Sequence, residues 1–208
     1  MARPLSLYLQ WLPHYLRQRF MPLSSLAPRR LHLGCGSRRA EGWVNLDIRF
    51  TRATDFLDDL RHLRRVPAAW ADEIYACHVL EHFDFVETQA VLRQWTRVLR
   101  PGGILRVSVP DMDRITSQYQ RHLQHFHTPG NEPWTGLIYG GQTDRYDFHK
   151  NGFNFTSLKH HLEALGFEEV REYPHEPHFI VGLEDASLAN APFGEMLSLN
   201  VMARRKSE

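Results

Sequence analysis

The stretch at residues 31–36, Leu-His-Leu-Gly-Cys-Gly, most constrains how this chain folds. Its apolar start predicts a short buried strand, and its two glycines predict a tight turn directly after that strand. A second apolar segment at 44–46 ends in Asp47. Glycine lets the backbone approach a ligand closely, and an acid closing the next strand can accept hydrogen bonds from ribose hydroxyls. This pattern predicts a nucleoside-binding site.

Strand and helix signals alternate along the first half of the chain. Segments at 54–60, 72–77 and 104–109 predict three further strands. A helix between the last two begins at Asp84, with Glu87 placed to complete a capping box, and stops at the Pro-Gly-Gly of 101–103. This alternation predicts a doubly wound α/β sheet. Helices at 113–125 and after Thr156, and strands at 167–173 and 197–203, complete the prediction.

We predict one domain over 30–208, preceded by a basic amphipathic helix and connector over 1–29. Residues 1–30 carry five arginines and no acid. This segment either packs over the domain or acts as a lid or a peripheral contact with a membrane surface. A signal peptide is disfavoured, because Gln10, Pro13 and His14 interrupt the apolar stretch. Residues 127–153 show no clear period, and we predict an irregular lid over an acceptor pocket there.

Composition narrows the range of partners. Lys and Arg total 25 against 24 Asp and Glu, so a nucleic-acid partner is not expected. The two cysteines, Cys35 and Cys77, argue against a disulfide framework and for a reducing compartment. No apolar run approaches the roughly 20 residues that span a bilayer. We therefore expect a cytoplasmic protein, with residues 1–29 as its one candidate contact with the inner membrane face.

The spacing of the glycine turn also restricts the cofactor. A dinucleotide site has a third glycine and an acid about 20 residues further on. Here Arg39 stands at the third glycine position, and Asp47 follows Gly36 by only 11 residues. A phosphate-binding loop is also missing, because no Gly-Lys-Ser/Thr follows the turn. S-adenosylmethionine, a nucleoside cofactor without phosphate, satisfies the same pattern.

Five segments, in order, resemble the class I S-adenosylmethionine-dependent methyltransferases, and most closely the small bacterial branch with the type 11 methyltransferase domain. They are residues 31–36, Asp47, residues 59–60, residues 78–82 and residues 99–103. The resemblance covers about residues 30–111. It implies S-adenosylmethionine as cofactor and a Rossmann-like, doubly wound sheet of seven strands, mostly parallel. The last strand would run antiparallel between the fifth and the sixth.

The resemblance also implies which residues contact the cofactor. Gly34, Cys35 and Gly36 would line it, and Asp47 would bind the ribose hydroxyls. The motif at 59–60 would bind adenine, with Asp59 at its amino group and Leu60 against the ring.

Further along, the resemblance implies that His78 faces the methionine end and the transferred methyl. Two residues depart from the family pattern. His32 stands where the family usually has an acid, and Arg38 where it often has a third glycine. Arg38 is either a partner of the methionine carboxylate or a solvated surface residue, and we favour the second.

Methyl transfer from a sulfonium is an in-line displacement, which an enzyme accelerates mainly by holding nucleophile and methyl near contact. A hydroxyl acceptor adds the need for a general base, most often histidine. His149, in the irregular segment, is the first candidate, with Asp147 placed to orient it. His78 is the second. The alternative for His149 is that its motif only folds the loop against the core.

Asp111 and Tyr146 are the predicted acceptor contacts, although Asp111 equally suits a helix cap. No metal site is predicted, because His122, His125 and His127 have no acid or cysteine at ligand spacing. We expect O- or N-methylation of a small molecule or glycan. Two other functions stay open at this point: a catalytically silent methyltransferase-like binding module, and a nicotinamide-dependent oxidoreductase.

Overall fold

One seven-stranded sheet forms the centre of the protein. The structure is a computed structural model that describes residues 28–122, 133–174, 194 and 196–207. The strands are β1 (Arg30–Leu33), β2 (Val44–Asp47), β3 (Phe56–Leu57), β4 (Ala71–Cys77), β5 (Leu99–Pro110), β6 (Phe167–Glu172) and β7 (Ser198–Arg205). Their order in the sheet is β3-β2-β1-β4-β5-β7-β6. This order reverses direction at β1, as in other doubly wound sheets, which bind ligands at such a switch point.

Strands β1 to β5 pair in parallel, and β7 runs antiparallel to both of its neighbours. Leu31 is paired with Val44 on one side and with Ile74 on the other, which fixes the register around β1. Val107 of β5 is paired with Val201 of β7. The predicted doubly wound sheet, with its last strand inserted antiparallel between the fifth and sixth, is confirmed.

Four α-helices and one 3₁₀ turn connect the described strands: α1 (Phe85–Val98), α2 (Met112–Arg121), α3 (Pro133–Tyr139), α4 (Phe155–Glu163) and the turn Leu80–His82. The predicted capping box of α1 is present, because Asp84 accepts hydrogen bonds from the N–H groups of Val86 and Glu87. Helix α4 is capped by Asn154, whereas the sequence predicted Thr156. Asn154 and Ser157 form a reciprocal capping box, a side-chain pairing that the apolar spacing did not reveal.

The third predicted strand is the largest deviation within the sheet. Residues 54–60 were expected to be extended, but only Phe56–Leu57 pair with β2. The carboxylate of Asp55 instead accepts hydrogen bonds from the backbone and side-chain nitrogens of Asn45. Asp55 is thus fastened to β2, the N–H of Asp58 still donates to the carbonyl oxygen of Asp47, and a turn begins at Leu60.

Helix α1 fixes the turn at Leu60 through a hydrogen bond. Trp95 is fully buried, and its indole N–H donates to the carbonyl oxygen of Leu60 at 3.3 Å. The helix therefore holds the backbone of the Asp59–Leu60 motif in place. A hydrogen bond from a buried core residue thus positions Leu60 of the predicted adenine pocket.

His32 now has a structural explanation. It is buried, its Nδ1 lies 3.0 Å from Asn45 Oδ1, and its ring stacks on Tyr75 at 5.3 Å between centroids. Burial lowers the pKa of His32 to about 4, against the opposing effects of the Asn45 hydrogen bond and the charge of Asp47. A neutral imidazole thus occupies a core position where the family usually has an acid.

We expect this histidine to make the fold acid-sensitive. Between pH 6.5 and about 4, His32 is protonated in the unfolded chain but stays neutral in the folded protein. The free energy of unfolding therefore decreases as the pH falls through that range. The loss reaches about 3 kcal/mol, at roughly 1.4 kcal/mol per pH unit. Urea unfolding at pH 7 and pH 4.5 measures it: His32→Gln should lose less stability between these pH values than the wild type. The exposed-site variant His160→Gln should follow the wild type, and equal losses in all three proteins would refute the assignment.

The predicted N-terminal helix falls almost wholly outside the described residues, which begin at 28, so it stays a prediction. Within the described residues, no helix is both long enough and apolar enough to cross a membrane.

Candidate cofactor and acceptor site

The glycine turn after β1 forms the floor of the site. Gly34 and Gly36 adopt φ values of +68° and +53°, in the left-handed region that favours glycine. The N–H groups of Gly34 and Cys35 both donate to the carbonyl oxygen of Leu46. A Cβ atom at Gly34 would lie 2.3 Å from Cγ2 of Val79, so no side chain fits there. The backbone is therefore the surface that a ligand meets.

Asp47 closes β2 beside this turn, and two backbone groups fix its carboxylate. Gly36 N–H donates to Oδ2 at 2.8 Å, and Arg49 N–H donates to Oδ1 at 2.7 Å. The residue is almost buried, yet it lines the cavity described next. Each carboxylate oxygen has a second lone pair. Asp47 can therefore accept two further hydrogen bonds from a ligand without losing its own anchoring.

A cavity of about 440 Å³ opens at the carboxyl edge of β1, β2 and β4. It is lined by Gly34, Asp47, Ile48, Arg49, Asp59, Leu60, Arg61, His78, Val79, His82, Phe83, Arg145, Tyr146, Asp147 and Lys150. Six residues singled out from the sequence as site residues thus share one cavity: Gly34, Asp47, Asp59, Leu60, His78 and Tyr146.

The apolar wall of the cavity was largely missed. Leu60 was expected there, but Ile48 and Phe83 join it. Ile48 directly follows the acid that ends β2, and its 38% exposure is unusual for an isoleucine beside a buried strand. The position of Ile48 directly after Asp47 was the feature of the sequence that could have indicated its place in the cavity wall. Together these side chains can hold a flat apolar ring next to the carboxylate of Asp59.

Four predicted site residues do not line this cavity: Cys35, Gly36, Asp111 and His149. Cys35 is buried with its Sγ 3.8 Å from Thr54 Oγ1, and burial raises the pKa of its thiol to about 12. Asp111 caps α2 and pairs with Arg114 at 2.9 Å, in a separate groove. The cap was the alternative interpretation of Asp111, and the structure favours it over acceptor binding.

His78 stands at the end of β4 with a positive φ of 51°, which is uncommon for a residue with a side chain. Its Nε2 lies 2.8 Å from Ser198 Oγ, and its Nδ1 lies 3.1 Å from Glu81 Oε1. Burial alone would raise the pKa of Glu81, but the histidines around it, His78 foremost, hold that pKa below its ordinary value. Glu81 is thus an anion directly behind His78.

His149 lies further back than predicted. Its Nδ1 donates to the carbonyl oxygen of Leu137 at 3.0 Å, and its Nε2 lies 4.0 Å from Glu81 Oε1. It does not line the cavity. Asp147, predicted to orient it, binds the backbone and hydroxyl of Thr143 instead. Burial lowers the pKa of His149, although Glu81 opposes the shift. The expected Asp147–His149 pair is therefore replaced by Glu81–His149.

The loop at 140–153 is fastened to the 3₁₀ turn by three hydrogen bonds. The N–H groups of Lys150 and Asn151 both donate to the carbonyl oxygen of Glu81. His82 Nδ1 donates to the carbonyl oxygen of Phe148 at 3.0 Å. The loop thereby brings polar side chains from residues 145–147 and 150 to the cavity.

Comparison with known proteins finds a family model that matches part of the chain. Residues 31–107 match a family model described as a methyltransferase domain, a stretch that runs from β1 into β5. No curated protein matches the chain at a significant level.

Solved structures share the fold over most of their length. A SAM-dependent methyltransferase from Archaeoglobus fulgidus is 16% identical, with 93% of each chain covered and a TM-score of 0.54. One from Methanosarcina mazei is 16% identical, with 86% of this chain and 92% of that chain covered and a TM-score of 0.56. A third is the Burkholderia thailandensis 1,6-didemethyltoxoflavin-N1-methyltransferase, solved with 1,6-didemethyltoxoflavin and S-adenosylhomocysteine. It is 16% identical, with 99% of this chain and 92% of that chain covered and a TM-score of 0.54.

The geometry of the turn fits the same cofactor. Residues 34–43 between β1 and β2 contain no helix, so no helix N-terminus is present there to receive a pyrophosphate. What the turn does offer is bare backbone at Gly34 and a buried acid at Asp47. These groups suit a nucleoside without phosphate. In the family model that matches residues 31–107, in its fold and in this site, the chain is similar to the class I S-adenosylmethionine-dependent methyltransferases.

Proposed function

We propose that this protein is an S-adenosylmethionine-dependent methyltransferase that acts on a small-molecule or glycan acceptor and transfers the methyl group to an oxygen or nitrogen. The observation that supports it is a single cavity bordered by two sets of residues. One set, including Gly34, Asp47 and Asp59, follows β1, β2 and β3. The other set, including Tyr146 and Lys150, comes from the loop at 140–153. Cofactor and acceptor would meet between them.

In this proposal Asp47 binds both ribose hydroxyls and Asp59 binds the adenine amino group, with Leu60 against the ring. Asp59 is already oriented, because its Oδ1 accepts the N–H of Arg61 at 3.0 Å. The bound cofactor supplies a methyl group activated by a sulfonium. The protein supplies alignment and the exclusion of water.

The acceptor side of the cavity is polar and aromatic. Arg145 lies over the ring of Tyr146, with 4.6 Å between Cζ and the ring centroid. Lys150 pairs only loosely with Glu87, at 3.8 Å. Such a wall favours an acceptor that carries hydroxyl or anionic groups around a flat face. A sugar meets that description, and this is the basis for including glycans.

Of the two histidines predicted to take part in catalysis, we assign the contact with the methyl group and acceptor to His78. It borders the cavity, whereas His149 is shielded behind the 3₁₀ turn. Ser198 and Glu81 hold its ring from both sides. With Nδ1 beside the Glu81 carboxylate and Nε2 beside the Ser198 hydroxyl, the ring is held in place, and a proton from an acceptor hydroxyl would reach Nε2 through Ser198.

Two experiments test the proposal. Calorimetric titration should show binding of S-adenosylmethionine and none of NADH, and the reverse result would favour an oxidoreductase. With labelled cofactor and a panel of sugars and small hydroxylated acids or amines, label should pass to an acceptor. Cofactor binding without transfer to any of them would favour the silent binding module.

His78→Gln should lower kcat by about 100-fold or more, the usual contribution of an acid–base group. Its Kd for S-adenosylhomocysteine should stay within about threefold of wild type. His160→Gln, on the exposed face of α4, is the matched control and should retain full activity. An unchanged kcat in His78→Gln would remove this residue from the mechanism.

A further inference from the structure

Glu81 is the most unusual buried group among the described residues. Its side chain is 1% exposed, and neither carboxylate oxygen has a hydrogen-bond partner. His78 Nδ1 lies at ion-pair distance from Oε1, but not in hydrogen-bond geometry. Leaving a buried carboxylate without hydrogen bonds is costly. The position therefore calls for a cation beyond what the neighbouring side chains supply.

The imidazoles of His82 and His149 lie near this carboxylate, and a hydrogen bond fixes which nitrogen of each ring carries the lone pair. A carbonyl oxygen only accepts, so Nδ1 of His82 must donate to Phe148 and Nδ1 of His149 must donate to Leu137. In each neutral ring the lone pair is then on Nε2. Histidines that bind metals are typically oriented in this way, by a hydrogen bond from the other ring nitrogen to a carbonyl or carboxylate.

The three side chains lie close enough to share one ion. One ligand atom each from Glu81, His82 and His149 falls within 4.8 Å of the other two, and Glu81 Oε1 lies 4.0 Å from His149 Nε2. Ligands of one tetrahedral zinc ion are each about 2.0–2.2 Å from the metal and therefore about 3.4 Å from one another. Side-chain rotations that bring these ligand atoms about 1 Å closer together would complete the site.

We propose that Glu81, His82 and His149 bind a divalent first-row transition-metal ion such as Zn²⁺ or Mn²⁺. Two imidazoles and one carboxylate form a ligand set that such ions use, whereas Mg²⁺ and Ca²⁺ prefer oxygen ligands alone. Three protein ligands also leave coordination positions open.

The proposed metal ion would lie at the edge of the cavity, where it could bind the acceptor. His82 borders the cavity on the side of the covering loop, next to Asp147 and Lys150. Resting on the proposed function above, the open coordination positions would bind oxygen atoms of the acceptor and orient it toward the methyl group. The ion would be a positioning element of the acceptor pocket. His149 would then contribute as a ligand and not as a base.

Metal binding by the full chain, without cofactor or acceptor, tests the site independently of the methyl-transfer proposal. After stripping with a chelator, titration with Zn²⁺ should show one equivalent bound, and bound Co²⁺ should show the d–d absorption of a site with nitrogen ligands. Glu81→Gln, His82→Gln and His149→Gln should each weaken Zn²⁺ binding by at least about tenfold, as expected for loss of a ligand. His160 is an exposed histidine beside His161, and the variant His160→Gln should bind Zn²⁺ as the wild type does.

Thermal unfolding guards against variants that fail to fold. Zn²⁺ should raise the Tm of the wild type and of His160→Gln by more than that of His149→Gln, whatever the starting Tm of each. Equal binding by all four variants and the wild type would overturn the site, since the ion would then be held by surface histidines. Failure of the wild type to bind either ion would overturn it as well, and cofactor binding and methyl transfer would still be open to test.

Discussion

Replacing Gly34 by alanine is expected to destabilise the fold by about 2–5 kcal/mol. The left-handed backbone at φ +68° costs an alanine about 1–2 kcal/mol. The new Cβ also meets Cγ2 of Val79 at 2.3 Å, and overpacking of this kind adds about 1–3 kcal/mol. Urea unfolding followed by circular dichroism measures the loss. Because we propose that the backbone of this turn contacts the cofactor, affinity for S-adenosylhomocysteine should fall as well.

Gly36→Ala is the matched control, since Gly36 has a similar φ of +53° but no atom within 4 Å of its would-be Cβ. The free energy of unfolding of Gly36→Ala should fall only by the cost of placing an alanine in the left-handed region. The double variant Gly34→Ala/Val79→Ala removes the overlap and should recover part of the loss, giving a favourable coupling energy of about 1 kcal/mol or more. If Gly34→Ala is no worse than Gly36→Ala, the packing of the turn against Val79 is not what requires glycine.

Asp47→Ala is expected to weaken binding of S-adenosylmethionine by at least about 100-fold. A hydrogen bond to a charged group contributes about 1.5–3 kcal/mol, and two are lost with the ribose contacts. Each 1.4 kcal/mol is a tenfold change in Kd. The carboxylate also holds the N–H groups of Gly36 and Arg49, so the turn itself would loosen. Calorimetric titration with S-adenosylmethionine provides the measurement.

Two further variants separate binding from folding. Asp47→Asn keeps the size of the side chain and should retain a native Tm while losing most of the affinity. Asp72→Ala removes an exposed acid at the opposite end of the sheet, where it pairs with Arg29 and Arg100. It should bind the cofactor as the wild type does. Unchanged affinity in both Asp47 variants would show that the ribose lies elsewhere.

The parts of the fold that follow from local pattern were predictable. Gly34, Gly36 and Asp47 lie within 14 residues, and their spacing already argued against a dinucleotide. The capping box at Asp84 is likewise a contiguous signal. Where side chains make hydrogen bonds that the pattern does not show, prediction was wrong: Asp55 binds Asn45 of β2 just before a β3 of only two residues, and Asn154 caps α4 ahead of Thr156.

The arrangement around Glu81 could not be predicted, because it joins residues that are distant in the chain. His82 and His149 come together only when the loop at 140–153 docks on the 3₁₀ turn. In sequence, Glu81 looks like an ordinary turn residue, and three other histidines, at 122, 125 and 127, attract more attention. The best sequence candidate for a base, His149, was chosen for its neighbour Asp147, which points to Thr143 in the folded chain.

The antiparallel strand β7 has a consequence for how this protein assembles. Ile104 pairs with Arg204, so β5 cannot complete its hydrogen bonds until residues 198–205 have been synthesised and have found their place. Contacts so far apart in sequence slow folding. Until then the apolar row of Leu105, Val107 and Val109 lies along an open sheet edge, which invites pairing with other chains. The stretch that matches the methyltransferase family, residues 31–107, is thus not a folding unit by itself.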